Sequence, residues 1–190
     1  MHLKDIQDIL SAISGIIFFI AFVPYVWAIA KKRTKPAKAS WLIWATLDSI
    51  IMAGMYFKYS LNGQIIGAVA GAWIIAILAI KYGVPGWTIL DKFCLAGAAL
   101  GILLWQIWDN PNLAIATSLV VVLLGSIPTF VSAYKDPSKE DRKAWTIFFI
   151  SCVIAVPAIP AWTLNDAGQP IVFLIVETVM MYLLYIKPRK

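Results

Sequence analysis

The chain has 190 residues, of which 61% are hydrophobic and only 14% charged, with a formal net charge of +6. That balance lies far from an ordinary soluble domain and predicts an all-α integral membrane protein. Lys and Arg sit in short stretches between apolar runs rather than on a basic face, which excludes a nucleic-acid binder and points to membrane ends.

Residues 1 to 8 read as a polar tail with Lys4, Asp5 and Asp8, and an apolar run follows from Ile9 to Ala30. The run is too long for a signal-peptide core and is expected to stay as the first membrane helix. Helix two is expected over Ser40 to Phe57 and helix three over Gln64 to Ile80. Each is near the minimum for crossing about 30 Å of hydrocarbon at about 1.5 Å per residue. Pro85 and Gly86 break the chain, and Trp87 to Trp108 makes helix four, with Asp91 and Lys92 in its first turns. Asn110-Pro111-Asn112 is a turn. Helix five is expected over Leu113 to Tyr134, helix six over Ala144 to Leu164 and helix seven over Gln169 to Ile186. Seven membrane spans result, and no soluble domain remains.

Orientation follows from the positive-inside rule. With the loop after helix one on the inner side, fourteen of the sixteen Lys and Arg residues fall there, and only Lys4 and Lys58 fall outside. The expected location is the cell membrane, with the N-terminus outside and the C-terminus cytoplasmic.

Proline and tryptophan mark an internal duplication. Pro24 and Trp41 are seventeen positions apart, as are Pro128 and Trp145, and Lys31 and Lys135 share the same offset of 104. Gly63-Gln64 before helix three matches Gly168-Gln169 before helix seven at offset 105. Helices one to three therefore pair with five to seven. The expected plan is a 3+1+3 arrangement of parallel triple-helix repeats: residues 1–82, a linker helix in 83–110, and residues 111–190.

This plan resembles the SWEET and PQ-loop superfamily of seven-helix membrane proteins over nearly the whole chain. The family's Pro-Gln is represented by Pro24-Tyr25 and Pro128-Thr129, with proline kept and glutamine absent. Phe22-Val23-Pro24-Tyr25-Val26-Trp27 and Ser40-Trp41-Leu42-Ile43-Trp44 look like an uncharacterised bacterial branch. The resemblance implies an alternating-access transporter, a uniporter or proton-coupled, of a small polar solute such as a sugar, bound at the midplane between the repeats. The asparagine pair of sugar-transporting members has no counterpart: helix three offers Gly71, Ala72 and Trp73, and helix seven offers Glu177 and Thr178. Relatives of this fold also act as receptors, so a seven-helix binder without transport is the alternative.

Single residues sharpen these expectations. Pro24 and Pro128 each remove a backbone donor near one helix end and are the candidate hinges. Asp48 and Glu177 lie mid-way along apolar runs, where a carboxylate costs about 2.5–3.5 kcal/mol and acids serve ion pathways and proton relays. They are the candidate substrate or proton residues, one from each half, with Lys92 the nearest base. Trp44, Trp73 and Thr178 are candidate pocket walls. Trp41, Trp145, Trp87, Trp105, Trp108 and Trp162 fall near membrane ends and read as interfacial anchors. Gly63, Gly67 and Gly71, like Gly97 and Gly101, leave one helix face smooth, for close packing within the bundle or, on helix four, for a dimer.

Enzyme signatures are absent: there is no HExxH, GxSxG or phosphate loop, and the one histidine, His2, lies in the tail. Cys94 and Cys152 lie in or beside apolar segments and suggest neither a disulfide framework nor a metal site. No catalytic residue, cofactor or metal is expected. The expected partners are a small solute, protons and membrane lipid, and the sequence leaves the oligomeric state open.

Overall fold

The structure is a computed structural model that describes residues 2–33, 35–36, 38–83, 86–137 and 140–186, with the side chains of Pro128 and Ser132 outside that description. Pro85, Lys139, Lys187, Arg189 and Lys190 lie outside the described residues. Seven α-helices follow in order: α1 (Leu3–Ala30), α2 (Lys38–Phe57), α3 (Gly63–Tyr82), α4 (Ile89–Trp108), α5 (Pro111–Lys135), α6 (Arg142–Ala155) and α7 (Leu164–Met181). A 3-10 turn, Val156–Ala158, extends α6, and a π turn, Tyr182–Ile186, extends α7.

Six of the helices, α1 to α5 and α7 with its π turn, are long and apolar enough to cross a membrane. Their outward faces are apolar: Ile77, Phe93, Leu103 and Val120 are each more than half exposed. The interior instead holds polar side chains, among them Ser14, Asp48, Gln64, Ser151, Gln169 and Glu177. Water would penalise both choices, whereas lipid accepts the first and drives polar groups inward. This is a multi-pass membrane protein.

Several helix ends shift by one or two residues from the sequence expectation, and three differ by more. α1 begins at Leu3 rather than Ile9, because Asp5 Oδ2 accepts the His2 backbone N–H at 2.8 Å and sets an acid against the helix N-terminus. α6 stops at Ala155 rather than Leu164. Pro157 tightens the last turn to 3-10 geometry, and Pro160 follows in the connecting loop. α7 begins at Leu164 rather than Gln169, since Thr163 caps it, accepting the Asp166 N–H at 3.3 Å and donating to Asp166 Oδ2 at 2.6 Å.

Helix adjacency is regular. α3 packs between α1 and α2, α7 packs between α5 and α6, and the two sets meet along α1–α6 and α2–α5. Six helices thus close a ring, and α4 lies outside it against α5 and α2. Glycines set the tightest contact. A Cβ on Gly63 would collide with the Ser11 carbonyl and one on Gly67 with the Gly15 carbonyl, so α1 and α3 touch backbone to backbone. Gly97 and Gly101 of α4 face Val121 and Thr117 of α5, which places that smooth face inside the chain.

Candidate functional site

The ring surrounds a cavity of about 710 Å³. Along α1 its depth runs from Phe18 through Phe22 and Tyr25, and its mouth is reached at Arg33 and Lys35 and, before α6, at Glu140. This is the end of the bundle that carries the basic α1–α2 loop. Every ring helix contributes to the wall, and α4 contributes no lining residue.

Two acids are set into this wall. α2 presents Trp44 and Asp48 on one face, four residues apart, and α7 presents Glu177 from the other half of the chain. Both acids are nine-tenths or more buried, and among the described residues Glu177 Oε2 has no hydrogen-bond partner. Around them runs a connected set of rings. Phe18 packs on Phe148 at 4.7 Å between centroids and on Phe173 at 5.6 Å, Phe22 on Phe148 at 4.9 Å, and Trp41 on Trp44 at 5.3 Å.

Other expected site residues fall elsewhere. Trp73 is partly exposed beside α2, where its Nε1 donates to Ser49 Oγ at 3.0 Å, and it does not line the cavity. Thr178 is exposed and donates to the Leu174 carbonyl at 2.6 Å. Each follows a lining residue, Ala72 or Glu177, and successive helical residues point about 100° apart, so neighbours in sequence face different ways. Lys92 is exposed and outside the cavity wall. α1 runs unbroken through Pro24, and the next residue, Tyr25, lines the cavity, as does Thr129 after Pro128. Trp41 and Trp145 also line it. Trp87, Trp108 and Trp162 are exposed, while Trp105 packs on Phe57 at 5.3 Å.

At the mouth, the Arg33 guanidinium stacks over the Trp27 ring at 4.0 Å. Glu140 accepts the Trp145 indole N–H at 3.0 Å. Burial pushes the Glu140 carboxyl above its ordinary range, and the indole hydrogen bond pulls it the other way.

The opposite end is sealed by a polar layer that the sequence reading did not identify. Ser14 and Ser151 exchange hydrogen bonds, Ser14 Oγ donating to the Ser151 carbonyl at 3.1 Å and Ser151 Oγ to the Ser14 carbonyl at 2.8 Å. Gln169 Nε2 donates to Gln64 Oε1 at 3.0 Å, Asn62 Nδ2 donates to Gln169 Oε1 at 3.0 Å, and Gln64 Nε2 reaches Cys152 Sγ at 3.2 Å. Beyond the layer lies a vestibule of about 400 Å³ bordered by Gln7, Ser11, Asn62 and Asp166. The available signal was the recurrence of Gly-Gln, at Gly63-Gln64 and Gly168-Gln169.

Lining positions recur along the chain at a separation of 104. Phe18 and Val122, Phe22 and Ser126, Tyr25 and Thr129, Ser40 and Ala144, Trp41 and Trp145, and Trp44 and Phe148 are all wall residues. No family model, curated protein or solved structure matches this chain. Among the described residues, no group of three or more His, Cys, Asp and Glu side chains could hold a metal ion. The chemistry that the wall offers is charge, ring faces and hydroxyls.

Proposed function

We propose that this protein is an alternating-access transporter of a small polar solute, built from two parallel three-helix repeats, α1–α3 and α5–α7, joined by α4. The observation that carries this reading is the cavity itself. It is walled by equivalent positions of both halves, holds one buried acid from each, and is sealed at one end by a layer of hydrogen bonds. Such hydrogen bonds exchange readily for others, so a polar seal can open at modest cost. The ring order supports the repeats, because exchanging α1 with α5, α2 with α6 and α3 with α7 reproduces the same adjacencies.

In this reading the basic end is cytoplasmic by the positive-inside rule, the N-terminus is outside, and the cavity faces inward. α6 spans the membrane together with its 3-10 turn, giving seven spans. Pro24 and Pro128 let the cytoplasmic halves of α1 and α5 bend to close the mouth, while the Gln64–Gln169 pair parts to open the other side. Asp48 and Glu177 hold the solute or exchange protons for it.

Counterflow in proteoliposomes tests the proposal, with radiolabelled sugars, amino acids and amines screened at two pH values. Trans-stimulated uptake lost in Asp48→Asn and Glu177→Gln is expected. Saturable binding with no counterflow for any solute would overturn transport and leave a receptor.

A further inference from the structure

The wall chemistry narrows what the cavity can hold. Among the described residues, Asp48 and Glu177 are the only ionisable carboxyls deep in it, and no Lys, Arg or His stands at their depth. The two bases of the wall, Arg33 and Lys35, sit at the mouth beside Glu140, and Arg33 is stacked on Trp27. A pocket whose deep ionisable groups are carboxyls, with its bases held at the mouth, attracts cations and disfavours carboxylates and phosphates. Among the described residues nothing donates to the buried Glu177 Oε2, an acceptor that suits an N–H group or a positive charge.

Ring faces supply the rest of the recognition. Phe18, Phe22, Trp41, Trp44, Phe148 and Phe173 border the same space as the acids, and a cation over an aromatic face is attracted by its quadrupole. A sugar would need paired donors and acceptors, and among the described residues the wall has no Asn, Gln or His. The two interior amides, Gln64 and Gln169, lie in the seal and bond each other. Among the wall hydroxyls, Ser126 already donates to the Val122 carbonyl of its own helix at 2.8 Å.

We infer that the cavity binds a small organic cation, an amine or quaternary ammonium compound with a compact apolar body and no carboxylate. Asp48 and Glu177 act as its counter-charges and the aromatic wall holds its body. The inference rests on the transport reading for its physiological sense, but binding can be measured without it. A cavity of about 710 Å³ accommodates a ligand of ten to fifteen non-hydrogen atoms with room for water, within the about 300–1,000 Å³ range of ligand pockets.

The test uses the full-length protein in lipid nanodiscs and reads Trp fluorescence, since Trp41 and Trp44 line the cavity. Phenethylamine and its neutral isostere 2-phenylethanol are titrated in parallel, with benzyltrimethylammonium, phenylalanine and glucose as further probes. We expect saturable binding of both cations, at least tenfold tighter than the alcohol, with phenylalanine and glucose weaker still. Glu177→Gln should weaken phenethylamine at least tenfold while leaving the alcohol unchanged. Equal affinity for amine and alcohol, or tighter binding of glucose or phenylalanine, overturns the inference using the unaltered protein alone, so a variant that fails to fold does not obscure the answer. Counterflow separates the two readings. Cation binding without counterflow supports the ligand class and overturns transport, whereas glucose counterflow without cation binding overturns the ligand class and leaves transport standing.

Discussion

Gln169 Nε2 donates to Gln64 Oε1 at 3.0 Å, joining two side chains that are both fully buried and stand 105 positions apart in the chain. Gln64 is the second residue of α3 and Gln169 lies in the second turn of α7, and each keeps a further partner: Asn62 for Gln169 and Cys152 for Gln64. The pair therefore holds the N-terminal ends of α3 and α7 together at the sealed end of the bundle.

Replacing Gln169 by Leu removes the donor to Gln64 and the acceptor for Asn62. A buried hydrogen bond is worth about 1 kcal/mol, and about 1.4 kcal/mol changes a population tenfold, so the seal should open several-fold to tenfold more often. Cys152, buried behind Gln64, reports it: its rate of labelling by a small maleimide should rise accordingly in a Cys94→Ser background. An unchanged rate would mean that the amides do not govern access.

Ser151 and Ser126 are both buried serines, yet they should respond differently. Ser151 Oγ bridges α6 to α1 through the Ser14 carbonyl, whereas Ser126 Oγ bonds a carbonyl of its own helix. Ser151→Ala removes a buried hydrogen bond between two helices and should cost about 1 kcal/mol. Ser126→Ala leaves that carbonyl its helical bond and should stay within about 0.5 kcal/mol. Thermal unfolding in detergent measures the contrast.

Glycine substitutions separate contact with backbone from contact with side chain. At Gly67 a methyl group meets the Gly15 carbonyl, which cannot yield without moving α1, so Gly67→Ala should destabilise by about 1–3 kcal/mol. At Gly101 the nearest atom is Thr117 Cβ at 3.1 Å, and the about 1 kcal/mol gain in helix propensity offsets a small adjustment there. Gly101→Ala should leave the melting temperature nearly unchanged.

Glu140 gives the mouth a pH dependence. Burial raises its carboxyl above the ordinary 4.5, so the folded protein holds this proton more tightly than the unfolded chain does. Its contribution therefore favours the folded state at acidic pH and is lost as pH rises from about 4.5 through the raised value. In Glu140→Gln that part of the slope should vanish, seen as the difference between melting curves of the two proteins from acidic to neutral pH.

The helices were legible in the sequence because lipid demands long apolar runs, and that demand is visible residue by residue. Their ends were less so. Pro157 and Pro160 lie inside a run whose hydropathy does not change where α6 stops, and the polar Thr163, Asn165 and Asp166 look like loop although they open α7. Asp48 and Glu177 were found by their depth alone. Trp73 and Thr178 were chosen for standing beside the right positions, and helical rotation turns them outward. Trp41 and Trp145 read as interfacial from their place at helix ends, but the ring closes around them. The phenylalanines of the wall carried no signal, because a Phe facing a cavity and a Phe facing lipid are the same letter.

Between vestibule and cavity, α1 advances only from Ser14 to Phe18, about 6 Å of helix. In a bilayer, water standing in both recesses would carry the potential of each side almost to the middle and concentrate the electric field across that short septum. A charge passing it would take nearly the whole membrane voltage in one step, about 2.3 kcal/mol for each 100 mV. Ser14, Ser151 and Phe18 would then stand where a resting potential acts most strongly on a cation in transit.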